Sequence, residues 1–345
     1  MTRMRITSER PGVRPLPEVD LSTSIGSLAL PSPILTASGC AAAGRELDQF
    51  VDVTALGAVV TKSIMLKPRS GRPTPRMSET PSGMLNSIGL QGPGVDAFVE
   101  YDLAWLRRRG ARTVVSIAGT SVDEYTKLAQ RLRNADGVSA VEVNISCPNV
   151  EDRGHVFACD PVAAAAVVAA VRRSTMPGVP VLAKLSPDVT DIVEVARSVV
   201  DAGADALSMV NTSLGLVVDT MTMRPALAGV TGGLSGPAIR PVAVRCVWQV
   251  RAALPDVPIC GMGGIRTGLD ALEFVLAGAS TVALGTVLFN DPSAPTRVQR
   301  ELQVALADRG FDRLSDAVGY AHRPDEQPPT APDSDDFGPD VEVTA

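Results

Sequence analysis

One repeated unit constrains this chain most: an aliphatic run of strand length, closed by Gly, Pro, Ser or Asn and followed by a helix-like stretch. It recurs at residues 33–39, 58–65, 113–119, 140–146, 181–187, 206–212, 258–264 and 281–287. Strands alternating with helices call for a parallel sheet, because each helical crossover returns the chain to the same end of the sheet. Eight such units predict an α/β fold of the (β/α)8 TIM-barrel type, a single domain with long active-site loops. Only 3% of the 345 residues are aromatic. Ala, Val, Leu and Ile must therefore fill the core, as they do in strands buried on both faces. A doubly wound open sheet fits less well. Its first turn would read GxGxxG, whereas this one is Ala37-Ser38-Gly39-Cys40-Ala41-Ala42-Ala43-Gly44.

Helix punctuation supports the alternation. Asp160-Pro161 opens the Ala/Val-rich stretch 160–175, with Asp able to cap and Pro suited to the first turn. Thr190-Asp191 and Gly203 bound another helix. The connections at 66–93 and 213–235 are too long for simple loops and are expected to carry function.

The formal net charge of −6 resides in residues 323–345, where seven acidic residues face one basic residue. With Pro324, Pro328, Pro329, Pro332 and Pro339 as well, this tail buries too little apolar surface to fold and is expected to be disordered. Residues 1–20 carry Arg3, Arg5, Arg10 and Arg14 without an apolar run, so they read as a partly flexible extension rather than a targeting signal. The barrel is expected over 21–322. Residues 1–322 sum to zero net charge, which offers no basic face to nucleic acid or an anionic membrane. No stretch approaches the ~18 uninterrupted apolar residues of a membrane span, and a cytoplasmic protein is expected. Five cysteines without a CxxC pair, and only two histidines, argue against a metal site. Any redox chemistry then needs a bound organic cofactor.

Barrel active sites lie at the C-terminal strand ends, where this sequence places Ser38, Lys62, Ser63, Ser116, Asn144, Cys147, Asn149, Lys184, Asn211, Thr212, Gly263, Gly264, Gly285 and Thr286. Lys62 and Lys184 each follow three or more largely apolar strand residues, so each charge should be buried at the mouth. Either an anionic ligand meets it or a strand carboxylate such as Glu142 does. The glycines at 263, 264 and 285 occupy a place where barrels bind phosphate through backbone N–H groups; tight turns needing positive φ are the alternative. Cys147 stands between Asn144 and Asn149 and is either a small core thiol or a base.

Six segments then make a family resemblance: Arg72-Pro73-Thr74-Pro75-Arg76, Gly83-Met84-Leu85-Asn86-Ser87-Ile88-Gly89-Leu90-Gln91, NISCPNV at 144–150, KLSPDVTDI at 184–192, TGGLSGPAI at 231–239 and GMGGI at 261–265. From about residue 33 to 292 the chain resembles the class 1 dihydroorotate dehydrogenases, most closely the class 1B catalytic subunit. The resemblance implies FMN in the barrel and oxidation of (S)-dihydroorotate to orotate in pyrimidine (UMP) biosynthesis. Cys147 would take the C5 proton while the C6 hydride passes to flavin N5. An unperturbed thiol, with a pKa near ~8.5, leaves a few per cent thiolate at neutral pH, so activity should rise into alkaline conditions. FMN would be held by Ser38, Ser63, Ser116, Lys184, Val210, Gly236, Gly263, Gly264, Gly285 and Thr286. Substrate would be surrounded by Lys62, Asn86, Ser87, Ile88, Gly89, Leu90, Asn149, Asn211 and Thr212, with Asn144 and Lys62 near both ligands. The family forms homodimers, and class 1B enzymes form heterotetramers with a subunit carrying FAD and a [2Fe-2S] cluster that reduces NAD⁺. The dihydropyrimidine dehydrogenases share the barrel and FMN, and their catalytic cysteine lies a dozen or so residues past the SCP motif, close to the place of Cys159. That family has His where this chain has Asn149, which favours dihydroorotate.

Overall fold

The computed structural model describes residues 17–145, 160–327 and 329. The acidic tail past 329, the first sixteen residues and the segment carrying Cys147, Asn149 and Cys159 lie outside the described residues. All eight expected runs form strands: β1 (Ile34–Thr36), β2 (Val59–Val60), β3 (Thr113–Ile117), β4 (Ala140–Asn144), β5 (Val181–Leu185), β6 (Ala206–Met209), β7 (Ile259–Met262) and β8 (Thr281–Leu284). They pair in parallel in the order β1-β8-β7-β6-β5-β4-β3-β2. A parallel bridge between Leu35 and Ala58, and the Gly57 N–H donating to the Ile34 carbonyl at 2.9 Å, join β2 back to β1. The sheet is thus a (β/α)8 barrel.

Alternation along each strand divides the core in two. Leu35, Ala58, Val60, Val114, Ala140, Leu182, Ala206, Cys260, Met262 and Ala283 cluster together inside the barrel. Residues one position away, such as Val59, Val115, Val141, Val143, Val181, Ala183, Leu207, Ile259 and Val282, belong to the larger cluster under the helices. The same parity brings Lys62, Ser116, Glu142 and Lys184 to the inner face, each two residues beyond an interior apolar residue. Chemistry therefore stands above an apolar plug. A hairpin not expected from the sequence, Thr23–Ile25 with Leu28–Leu30, adds Ile25 and Leu30 to the interior cluster at the N-terminal end.

The punctuated helices form as expected. The Asp160 carboxylate accepts from the Val162 and Ala163 N–H groups at the start of Pro161–Ser174, and Asp191 does the same for Ile192–Asp201. The ladders end earlier than the aliphatic runs, whose last residues, among them Ser38, Lys62, Ser63, Asn211 and Thr212, line the mouth. The two long connections differ most from expectation. They pair with each other into a four-stranded antiparallel sheet, ordered Ser213–Gly215, Gly232–Ser235, Gly83–Asn86 and Met77–Thr80. Register sets Asn86 opposite Gly233.

Close helix packing rests on Gly268, whose N–H donates to Glu301 at 2.7 Å. A Cβ there would lie 2.3 Å from the backbone of Glu301 and Leu302 in the helix Ala294–Ala307. Gly268→Ala is expected to lose about 1–3 kcal/mol of stability through overpacking. Gly92→Ala, where nothing lies within 4 Å, should leave the unfolding midpoint nearly unchanged; thermal melts of the two variants check this.

Candidate active site

A cavity of about 640 Å³ opens at the C-terminal mouth between the strand ends and the antiparallel sheet. Barrel strands supply Ser38, Lys62, Ser63, Asn144, Lys184, Val210, Asn211, Gly263, Gly264, Gly285 and Thr286 to its wall. The long connections add Asn86, Ile88, Gly89 and Leu90, and the residues flanking the second of them add Thr212 and Gly236. Two expected residues stand behind the wall instead. Ser116 is fully buried beneath the floor, bonded to Ser63 and Glu142, and Ser87 is buried against Arg72. Cys147 and Asn149 lie outside the described residues.

The floor is built on one buried ion pair. Lys184 Nζ lies 3.6 Å from Glu142 Oε1, with side chains 5% and 1% exposed. Of the two alternatives left open for this lysine, the pairing with Glu142 is the one observed, and the side chain also lines the cavity. Ser116 Oγ donates to Glu142 Oε1 at 3.0 Å. An ionised carboxylate only accepts, which orients the hydroxyls above it: Ser63 gives its proton to Ser116 at 2.9 Å, and Ser38 gives its own to Ser63 at 3.2 Å. Asn144 donates Nδ2 to Ser63 at 3.0 Å and presents Oδ1 to Asn211 Nδ2 at 3.4 Å. Tyr125 Oη, donating to the Asn144 carbonyl at 2.8 Å, fixes that strand end. The polar floor is thus pre-ordered through its hydroxyls and amides.

Glycines shape the neighbouring wall. A Cβ at Gly236 would fall 2.8 Å from Gly83 Cα, and one at Gly264 would fall 2.8 Å from the Gly236 carbonyl. Both have positive φ, so turn geometry and close approach explain them together. Thr286 Oγ1 to Ser235 Oγ, 2.9 Å, ties the last strand end to the second long connection. Asn86 Nδ2 donates to the Gly233 carbonyl at 3.2 Å across the paired connections.

The sequence reading passed over several lining residues: Cys40, Met77, Gln91, Ser235, Arg266 and Phe289. Gln91 and Ser235 fall inside the quoted motifs, and Arg266 follows GMGGI directly. Met77 and Phe289 carry no such signal. Burial pushes the Cys40 thiol above its ordinary pKa, against the pull of the Lys184 and Lys62 charges. The same cause raises Cys246 and pushes Cys260, inside the barrel, up to about 12. No group of metal-ligating side chains is present among the described residues.

Fold and site together define a class: a (β/α)8-barrel enzyme whose ligand cavity joins a glycine-lined wall, two lysines and a row of carboxamides at the C-terminal mouth. Comparison with known proteins narrows it. The profile of the family Dihydroorotate dehydrogenase matches residues 20–306. The catalytic subunit of dihydroorotate dehydrogenase B (NAD(+)) from Geobacter sulfurreducens is 50% identical over 300 residues, 87% of this chain and 97% of that protein. The same subunit from Desulforudis audaxviator is 50% identical over 306 residues, 89% and 99% of the two chains. The chain belongs to the dihydroorotate dehydrogenase family, in its class 1B branch.

Two outcomes follow from the site's electrostatics. Glu142→Gln, which strands a buried ammonium, is expected to cost about 3–5 kcal/mol in urea unfolding, while Glu142→Gln with Lys184→Met recovers much of that loss. Alkylation needs thiolate, and a raised pKa holds the thiol protonated. Native protein treated with iodoacetamide at pH 8 should keep Cys246 and Cys260 unmodified; unfolded protein should react at all five cysteines.

Proposed function

We propose that the protein oxidises (S)-dihydroorotate to orotate with FMN in the barrel mouth, the oxidation step of pyrimidine (UMP) biosynthesis. One observation carries the reading: a single cavity joins the glycine-lined wall and Lys184 to Lys62 and the carboxamides of Asn86, Asn144 and Asn211. Family membership supports it. The cavity falls within the ~300–1,000 Å³ usual for small-molecule and cofactor sites. Gly236, Gly263, Gly264 and Gly285 line it without side chains, so their backbone N–H groups are open to a phosphorylated cofactor. The donor set fits FMN.

In this reading Ser38, Ser63, Lys184, Val210, Gly236, Gly263, Gly264, Gly285 and Thr286 hold FMN, and Ser116 supports Ser63 from beneath. Bound FMN supplies the two-electron acceptor for the substrate's C6 hydride. Lys184 places a positive charge where negative charge develops during that transfer. Lys62 meets the substrate carboxylate. Asn86, Asn144, Asn149, Asn211 and Thr212 pair with its polar edges, so a ligand lacking those groups leaves buried partners unsatisfied. Residues 87–90 form or back the wall beside it. Cys147 Sγ takes the C5 proton.

The names of the relatives, catalytic subunits of an NAD(+) enzyme, support a partner subunit that passes electrons to NAD⁺; the class 1B resemblance gives that subunit its FAD and [2Fe-2S] cluster. A homodimer extended to a heterotetramer is the corresponding assembly, and the cytoplasm is its compartment. No helix among the described residues is long and apolar enough to cross a membrane. Residues 21–322 form the FMN-binding domain in this reading, between an N-terminal extension and an acidic tail.

The base assignment is checked by anaerobic reduction. Cys147→Ser should keep its flavin yet lose most of its reduction rate by dihydroorotate near neutral pH, because a hydroxyl is a far weaker acid than a thiol. Cys159→Ser should reduce as the parent does. An unchanged rate in the first variant, or a matching loss in the second, would overturn the assignment.

A further inference from the structure

The strip 86–91 that walls the cavity has an unusual backbone. Gly89 and Leu90 are both left-handed, with φ of +75° and +55°, and for a leucine that conformation is strained unless its surroundings impose it. The surroundings are residues 69–76 of the same connection. The Arg72 N–H donates to the Ile88 carbonyl at 3.0 Å, Ser87 N–H to the Arg76 carbonyl at 2.7 Å, and Arg69 Nε to the Gly89 carbonyl at 2.9 Å. Arg76 also bonds the side chain of Gln91.

Arg72 reaches further. Its Nη1 donates to Ser87 Oγ and to the carbonyl of Gly229, each at 3.4 Å. Gly229 belongs to the second connection, and the Ala228 N–H donates to the Pro75 carbonyl at 3.0 Å alongside. The fit is tight. A Cβ at Gly229 would fall 2.4 Å from Arg72 Nη1 and 2.5 Å from Ser87 Oγ; one at Gly89 would fall 2.7 Å from Arg72 N and 2.8 Å from its Cγ. Arg72 Nε is buried without a hydrogen-bond partner, and among the described residues no carboxylate pairs with this guanidinium. The half-buried guanidinium is thus held by a hydroxyl and a carbonyl of the two connections and by no ion pair among the described residues.

We infer that Arg72 is a positioning residue: a latch tying the substrate strip to the second connection, which sets affinity for the dihydroorotate ring without touching reacting atoms. This rests on the dehydrogenase reading for its ligand, but the latch itself does not. Arg72 acts on the strip from behind, whereas the residues assigned to FMN come from the strand ends and the turn at Gly236, so the two affinities should separate.

The test uses flavin-loaded Arg72→Gln, Arg72→Lys and Gly229→Ala. In Arg72→Gln the KM for dihydroorotate and the Kd for orotate should rise about tenfold, roughly the loss of one charge-assisted hydrogen bond. kcat should stay within about twofold, with flavin content unchanged. Arg72→Lys, which keeps the charge but reaches one acceptor at a time, should fall between. Gly229→Ala should reproduce the Arg72→Gln defect, since its methyl displaces the guanidinium at unchanged charge. A defect in Arg72→Gln that Gly229→Ala lacks would mean that Arg72 acts by long-range attraction of an anion, and would overturn the latch. So would parental KM in both variants. Amide hydrogen exchange of peptides covering 84–92 provides a readout that needs no turnover: faster exchange in both variants is expected, and parental exchange contradicts the latch even if dihydroorotate is not the substrate.

Discussion

The ion pair between Lys184 and Glu142 is the constraint around which the mouth is organised. Two opposite charges inside a barrel survive only if they meet each other and if the remaining polar groups are satisfied. Their parity on adjacent strands, Glu142 on β4 and Lys184 on β5, points both inward above an aliphatic layer. Ser116 bonds the carboxylate, Ser63 bonds Ser116, and Ser38 and Asn144 bond Ser63. One buried charge thereby orders a floor of neutral donors and acceptors reaching the cavity. Such pre-ordering is what an electrostatic site requires, because dipoles already aimed need not reorganise as charge moves.

The roof follows a different logic. Each long connection alone would be a hairpin of marginal order, but their pairing makes a sheet whose central strand Gly83–Asn86 brings Asn86 to the cavity. Small residues permit the pairing. Gly232 and Gly233 stand where a Cβ would collide with Leu227, Asn86 or Thr212. Roof and floor meet where Thr286 bonds Ser235 and where Asn211 and Thr212 lead from β6 into the second connection.

Much of this was legible from local pattern. Aliphatic runs located all eight barrel strands, and the Asp160 and Asp191 caps marked real helix starts, because both signals depend on neighbouring residues alone. The roof sheet was not legible, since nothing near Asn86 announces pairing with Gly233, almost 150 residues away. The N-terminal hairpin went unrecognised because its strands, Thr23–Ile25 and Leu28–Leu30, are only three residues each, too short to stand out as aliphatic runs. Among site residues, Lys184 was read as meeting either an anionic ligand or Glu142; alternation puts it and Glu142 on one inner face, where they pair beside the cavity. Ser87 and Ser116 show the limit of motif reasoning. Each lies within reach of the wall in sequence, yet the backbone turns its side chain away from the cavity, towards Arg72 in one case and Glu142 in the other.

The measurement that tests the central claim most directly is anaerobic mixing of the purified protein with dihydroorotate, dihydrouracil or dihydrothymine while the visible flavin spectrum is followed. The account predicts a yellow protein whose absorbance bleaches with dihydroorotate and is little changed by the other two, which lack the carboxylate proposed to meet Lys62. A colourless protein, or one bleached by dihydrouracil in preference to dihydroorotate, would contradict it.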